Sequence, residues 1–152
     1  MVPKLGKKEG AKKSSKDEFG ETNIKKMKKI VLKLKGFLGF LTCKGIKEAL
    51  IKQKKFSFIL KLRTRYIAIY VTNKRIEIFD PSGFTCSRQP CELINFIKAQ
   101  SINRKLVVNI RSFNANESLR HSLLFLLLHK NLTSYDQTVN HLINYQNKML
   151  IK

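Results

Sequence analysis

Arg65 and Asp80 are the two residues whose types and spacing bring opposite charges to one place. Tyr66–Thr72 and Arg75–Phe79 are runs of β-forming residues separated by Asn73-Lys74, the length and chemistry of a two-residue hairpin loop. The second run stops at Asp80-Pro81-Ser82-Gly83, because proline cannot donate to a ladder and Pro-Ser-Gly is turn chemistry. If Thr72 pairs with Arg75, then Ile67 pairs with Asp80, and Arg65 lies diagonally from Asp80 on the same face. Diagonal neighbours are roughly 7–8 Å apart, within reach of long side chains. The expectation is an ion pair at the strand exit, contributing about 0–1 kcal/mol if it is exposed.

Other reactive groups are sparse. Three cysteines (Cys43, Cys86, Cys91), with no signal-peptide pattern, argue against a disulfide-stapled secreted chain. A structural zinc site takes four ligands, and no histidine lies near Cys86 and Cys91 in sequence, so no metal is expected. The three histidines fall in helical stretches. His121 reads as a polar residue at the edge of an apolar helix, and His129 and His141 read as helix-surface residues.

The charge balance is the strongest compositional signal. Lys and Arg number 31 against 10 Asp and Glu, a formal net charge of +21 over 152 residues. Folding does not need such an excess; it attracts polyanions, either nucleic acid or an anionic membrane surface. The candidate nucleic-acid contacts are Lys25, Lys26, Lys28, Lys29, Lys33 and Lys35, then Lys52, Lys54 and Lys55, with Lys61 and Arg63 beyond them. Binding through them would be independent of base sequence and would weaken steeply with salt. The Leu123–Leu128 run is too short for a bilayer, which takes about 20 apolar residues, so no membrane span is expected.

Residues 1–23 are rich in Lys, Gly and Ser and poor in apolar residues, which predicts a basic disordered tail ahead of a single domain over 24–152. Ile24, Met27, Ile30-Val31 and Leu34 recur at helical spacing, and Gly36 can stop that helix. Phe37–Phe40 reads as an apolar turn, Gly45–Lys54 as a short helix and Phe56–Leu62 as a strand. Phe56–Leu62 and Tyr66–Thr72 are apolar on both faces, as for strands buried between layers. Cys91–Gln100 reads as a helix, Lys105–Ile110 as a strand, and Ser118–Lys130 as a buried central helix. Thr133-Ser134 with Asp136-Gln137 offers a capping box for the last helix. The expected class is α+β with a mostly antiparallel central sheet packed by helices.

Four segments resemble the adenain-like cysteine proteases of adenoviruses, adintoviruses and Maverick/Polinton elements, which have the ubiquitin-like-protease fold. They are Phe37–Ile46 with Phe56–Leu60, the Tyr66–Gly83 hairpin ending in FDPSG, Ser112–Leu126, and His129–Ile143. The resemblance spans roughly residues 37 to 145. It assigns the family's acidic residue to Asp80, its histidine to Arg65, and its nucleophilic cysteine to Ser118. The second cysteine falls on Ser122, the glycine after the nucleophile on Leu119, and the oxyanion-hole glutamine on Arg111.

These substitutions change the chemistry. Arginine keeps its proton at any physiological pH, so Arg65 cannot serve as general base, and a serine needs a base more than a thiol does. Leu119 would crowd an oxyanion hole built on close backbone approach. The resemblance therefore implies a catalytically inactive homologue acting as a basic binding protein for nucleic acid or virion components, in the cell, nucleus or virion. No cofactor is expected beyond DNA, which the family uses as a polyanionic cofactor. Viral structural proteins, or a peptide held in the former substrate groove, are alternative partners. An active protease using Cys43, Cys86 or Cys91 is the competing reading, as is rescue of Ser118 by His121, three residues on.

Overall fold

The computed structural model describes residues 21–48, 54–113, 115–129 and 134–151. Five strands form one sheet in the order β1-β2-β3-β4-β5: β1 Phe37–Leu41, β2 Phe56–Lys61, β3 Tyr66–Val71, β4 Arg75–Phe79 and β5 Lys105–Val108. Helices α1 (Glu21–Leu32), α4 (Ser118–His129) and α5 (Tyr135–Ile151) form a group that buries Met27, Val31, Leu123, Phe125, Leu126 and Leu142 with Ile59, Ala68 and Phe79 of the sheet. Helices α2 (Cys43–Glu48) and α3 (Cys91–Gln100) pack Ile46, Leu93, Phe96 and Ile97 with Phe56, Phe58, Leu60, Ile67, Ile69 and Ile78. Alternate residues of β2 and β3 thus enter two cores, which explains why both strands are apolar on both faces.

The class is α+β, but the sheet is mixed and not mostly antiparallel. The β2–β3 and β3–β4 pairs are antiparallel, whereas β1–β2 and β4–β5 are parallel. Parallel neighbours need a crossover. The chain makes one through α2 on the way from β1 to β2, and another through α3 on the way from β4 to β5. The expected apolar turn at Phe37–Phe40 is instead the edge strand β1, disguised by Gly39. That glycine sits at φ +113 within a register irregularity between Phe37 and Phe40.

Other boundaries move by a few residues. The first helix starts at Glu21, inside the expected tail, and the short helix occupies Cys43–Glu48. The rest of the expected 45–54 helix, apart from Lys54 itself, lies outside the described residues, as do residues 1–20. Strand β5 ends at Val108 and not at Ile110, which is exposed. In the capping segment, Ser134 Oγ accepts the Gln137 N–H at 3.1 Å, whereas Thr133 lies outside the described residues.

Candidate functional site

The hairpin register is as expected. Thr72 N–H donates to Arg75 C=O at 2.9 Å, and the ladder runs from Val71 opposite Ile76 to Ala68 opposite Phe79. Continued, that register sets Pro81 opposite Tyr66, and proline has no N–H to offer. Tyr66 is satisfied from helix α4 instead. Ser118 Oγ accepts the Tyr66 N–H at 3.0 Å, and Ser122 Oγ, one turn later on the same helix face, donates to the Tyr66 C=O at 3.2 Å. Two serines therefore complete a strand end that the ladder leaves open.

Beside this joint lies a buried ionic cluster. Arg65 Nε donates to Asp80 Oδ1 at 3.1 Å and to Oδ2 at 3.3 Å, and its Nη2 reaches Gln89 Oε1 at 3.1 Å and the Arg88 carbonyl at 3.2 Å. Asp80 also accepts Ser82 N–H at 3.0 Å, Ser82 Oγ–H at 2.8 Å and Gln89 Nε2–H at 2.9 Å. Its backbone is held too, since Asp80 N–H donates to Asn109 Oδ1 at 2.8 Å and Asn109 Nδ2 donates to the Asp80 C=O at 2.7 Å. The pair is not the exposed one expected from sequence: Asp80 is fully buried and the Arg65 side chain is 12% exposed. A buried carboxylate is tolerated because it is paired and hydrogen-bonded on both oxygens.

Gly83 closes the turn at φ +86, its N–H donating to the Asp80 C=O at 2.8 Å. A Cβ there would stand 3.0 Å from the Ile110 carbonyl, so both the conformation and the space call for glycine.

The structure brings Arg65, Asp80 and Ser118 to one neighbourhood, because Tyr66 joins the first to the last. Arg111 is exposed, and its carbonyl, not its guanidinium, joins the cluster by accepting Asn109 Nδ2–H at 3.0 Å. Leu119 is half-buried and packs on the α1/α4/α5 core. His121 is buried, not at a helix edge. Its Nδ1 lies 3.0 Å from the Glu117 carbonyl, which can only accept, so Nδ1 carries the ring's proton. Burial pushes the His121 pKa below the usual imidazole range, and the hydrogen bond to Glu117 only partly opposes this. The neighbouring Arg120 is buried against the Glu117 carboxylate. Among the described hydrogen bonds none joins His121 to Ser118, whose Oγ is engaged by the Tyr66 N–H. The described role of Ser118 is to hold β3 to α4.

A second polar cluster lies where β4 meets α4 and α5. Glu77, on β4, is buried and accepts from His129 Nε2 at 2.7 Å, while Arg75 Nε approaches its other oxygen at 3.5 Å. His129 Nδ1 stands 2.7 Å from Thr138 Oγ, which also lies 3.1 Å from the Ser134 carbonyl. Carboxylate, imidazole and hydroxyl stand in line, yet Thr138 is fully buried and cannot meet a substrate. His129, read from sequence as a helix-surface residue, is a core residue, whereas His141 is exposed as expected.

Of the candidate nucleic-acid contacts, Lys25, Lys26, Lys29, Lys33, Lys35, Lys54 and Lys55 are exposed. Lys28 is half-buried, its ammonium 5.5 Å from the centre of the Phe40 ring. Lys52 lies outside the described residues. Cys86 and Cys91 are exposed and Cys43 is half-buried, and burial raises the Cys43 pKa, as does the Glu92 carboxylate. That shift is the reverse of what an activated thiol needs.

Sequence reasoning missed Gln89, Asn109 and Glu77. Asn109 is the one amide in an otherwise apolar strand end, and Glu77 the one acid in an apolar strand, so each could have been flagged as needing a buried partner. Gln89 carries no such signal, because its role depends on the path of the loop after Gly83. No protein-family model matches the chain, and no curated protein matches it significantly.

Proposed function

We propose that this protein is a catalytically inactive relative of the adenain-like cysteine proteases and works as a basic binding protein for nucleic acid. The observation that carries the reading is the state of Arg65. Its guanidinium is fixed by Asp80, Gln89 and the Arg88 carbonyl at the position where the resemblance calls for a base. The approach of Ser118 to the same hairpin, at the position of the family's nucleophile, supports the lineage. A carboxylate saturated by an arginine has no imidazole to orient, and an immobilised guanidinium draws no proton from a hydroxyl. The excess charge of +21 is what remains for selection to act on, and a phosphate backbone is the polyanion it suits.

Two measurements test the reading. Incubation with peptide libraries should give no cleavage, and any turnover that disappears in Ser118→Ala would show an active enzyme. Fluorescence anisotropy with labelled DNA should show binding at low salt, with the logarithm of the affinity falling linearly with that of the salt concentration. No binding at low salt would remove the nucleic-acid half of the reading and leave the pseudoprotease half standing.

A further inference from the structure

The sheet ends at the β3–β4 turn in a row of cations that helix α4 does not cover. Phe56 pairs with Val71, so Lys55 falls opposite Thr72; Thr72 bonds Arg75, and Arg75 pairs with Lys105. Side chains on neighbouring strands at one register level share a face. Lys55, Thr72, Arg75 and Lys105 therefore cross four strands on the face that carries Tyr70 and Glu77 one level in. Interstrand spacing places Lys55 and Arg75 roughly 10 Å apart at the backbone. Lys74 projects from the turn, and Arg104 caps the same end by donating to the Thr72 carbonyl at 2.7 Å.

Two depressions open along this row. One, of about 550 Å³, is lined by Lys55, Thr72, Asn73, Lys74 and Arg75. The other, of about 590 Å³, shares Lys55 and lies against Lys35, Ser57, Tyr70, Leu34 and Leu126. The second is therefore amphipathic: two ammonium groups and two hydroxyl-bearing side chains around an apolar floor. Ser57 and Tyr70 are direct cross-strand partners, and a T-shaped contact with His129 at 4.7 Å fixes the Tyr70 ring. Among the described residues, neither lining includes an acidic side chain. The nearest carboxylate, that of Glu77 opposite Tyr70, is buried and engaged by His129, with Arg75 Nε 3.5 Å from its other oxygen.

We infer that these two depressions, which share Lys55, form a single-strand nucleic-acid track, with a base seated against Tyr70 between Leu34 and Leu126 and the flanking phosphates on Lys35, Lys55, Lys74 and Arg75. The inference rests on the nucleic-acid reading above and locates it. A duplex offers phosphates but no free base face, whereas a single strand can satisfy both the cations and the aromatic floor. The cations give affinity without sequence preference, and the fixed ring selects unpaired bases.

The test is anisotropy of the full chain with labelled oligothymidine and with a hairpin duplex carrying the same number of phosphates. Wild type should bind the single strand more tightly. Tyr70→Leu should weaken single-strand binding on the order of tenfold and leave duplex binding unchanged, with Tyr70→Phe retaining wild-type affinity. Lys55→Glu, at an exposed position that leaves the core intact, should weaken binding and lower the salt slope by about one. If Tyr70→Leu does not fold, Lys55→Glu and Tyr70→Phe still decide the case. Undiminished single-strand binding in Lys55→Glu, or tighter binding of duplex, would overturn the track while leaving nucleic-acid binding in place. Absence of binding to either probe by wild type would overturn both.

Discussion

The chain holds two buried polar clusters, and they differ in what stands beside the carboxylate. At the mouth of the hairpin, Arg65 holds Asp80, and Ser118 bonds the backbone of the neighbouring Tyr66. Below the far end of the sheet, Glu77, His129 and Thr138 align as acid, imidazole and hydroxyl, but the hydroxyl is sealed in the core. One pairs its carboxylate with a guanidinium, the other with an imidazole that reaches a buried hydroxyl. A triad is defined by residue types, geometry and access together. In both clusters the described hydrogen bonds serve the fold. Asp80 and Asn109 fix the chain's exit from β4, and His129 ties α4 to β4 and α5.

The largest effect should come from breaking the buried set. His129→Leu leaves Glu77 in the core facing only a half-buried Arg75 at 3.5 Å, and chemical denaturation should show a loss of about 3–5 kcal/mol. Replacing the pair together, Glu77→Leu with His129→Leu, should recover much of that loss, since the uncompensated charge is gone. A double variant as unstable as the single one would mean that the imidazole acts through packing on Phe125 and Tyr70, not through its charge partner.

The hairpin cluster should be more forgiving. Arg65→Ala removes one partner of Asp80, but Ser82 and Gln89 still donate to both carboxylate oxygens. A loss of about 2 kcal/mol in the same denaturation measurement is expected, less than for His129→Leu. The reverse order would sink the contrast between the two sites. Smaller again is the serine joint. Ser118→Ala and Ser122→Ala each strip one partner from the Tyr66 backbone, and each should lower stability by about 1 kcal/mol.

The hairpin was legible because its register is local: a two-residue loop fixes which residues face one another, and Arg65 meets Asp80 as a direct consequence. Helix α3 was legible to the residue, since its apolar positions recur at helical spacing between Pro90 and Ser101. What could not be read was set by tertiary contact. The parallel pairings of β1 with β2 and of β5 with β4 depend on crossovers, and a strand of Phe-Leu-Gly-Phe-Leu looks like a turn until β2 lies beside it. The burial of Asp80 follows from Gln89, brought back by the loop after Gly83, and from Asn109, 29 residues away. His129 looked like a surface residue because its partner, Glu77, is on another element.

His121 offers the finest test, because its ring is buried on the same helix as Ser118. Burial holds its folded-state pKa below that of the unfolded chain, so the native state favours the neutral ring. The unfolded chain binds a proton first as pH falls. The stability this site supports is therefore complete above about pH 6.5, the ordinary imidazole value, and is lost as pH drops through the lower folded value. Arg120 acts in the same direction as burial, whereas Glu117 works against it. Denaturation midpoints measured from about pH 7.5 down to about pH 5 should fall more steeply for wild type than for His121→Gln, whose amide can still donate to the Glu117 carbonyl. Every other side chain is common to both proteins, so the difference between the two curves isolates His121. Parallel curves would mean that burial does not hold the His121 pKa below that of the unfolded chain.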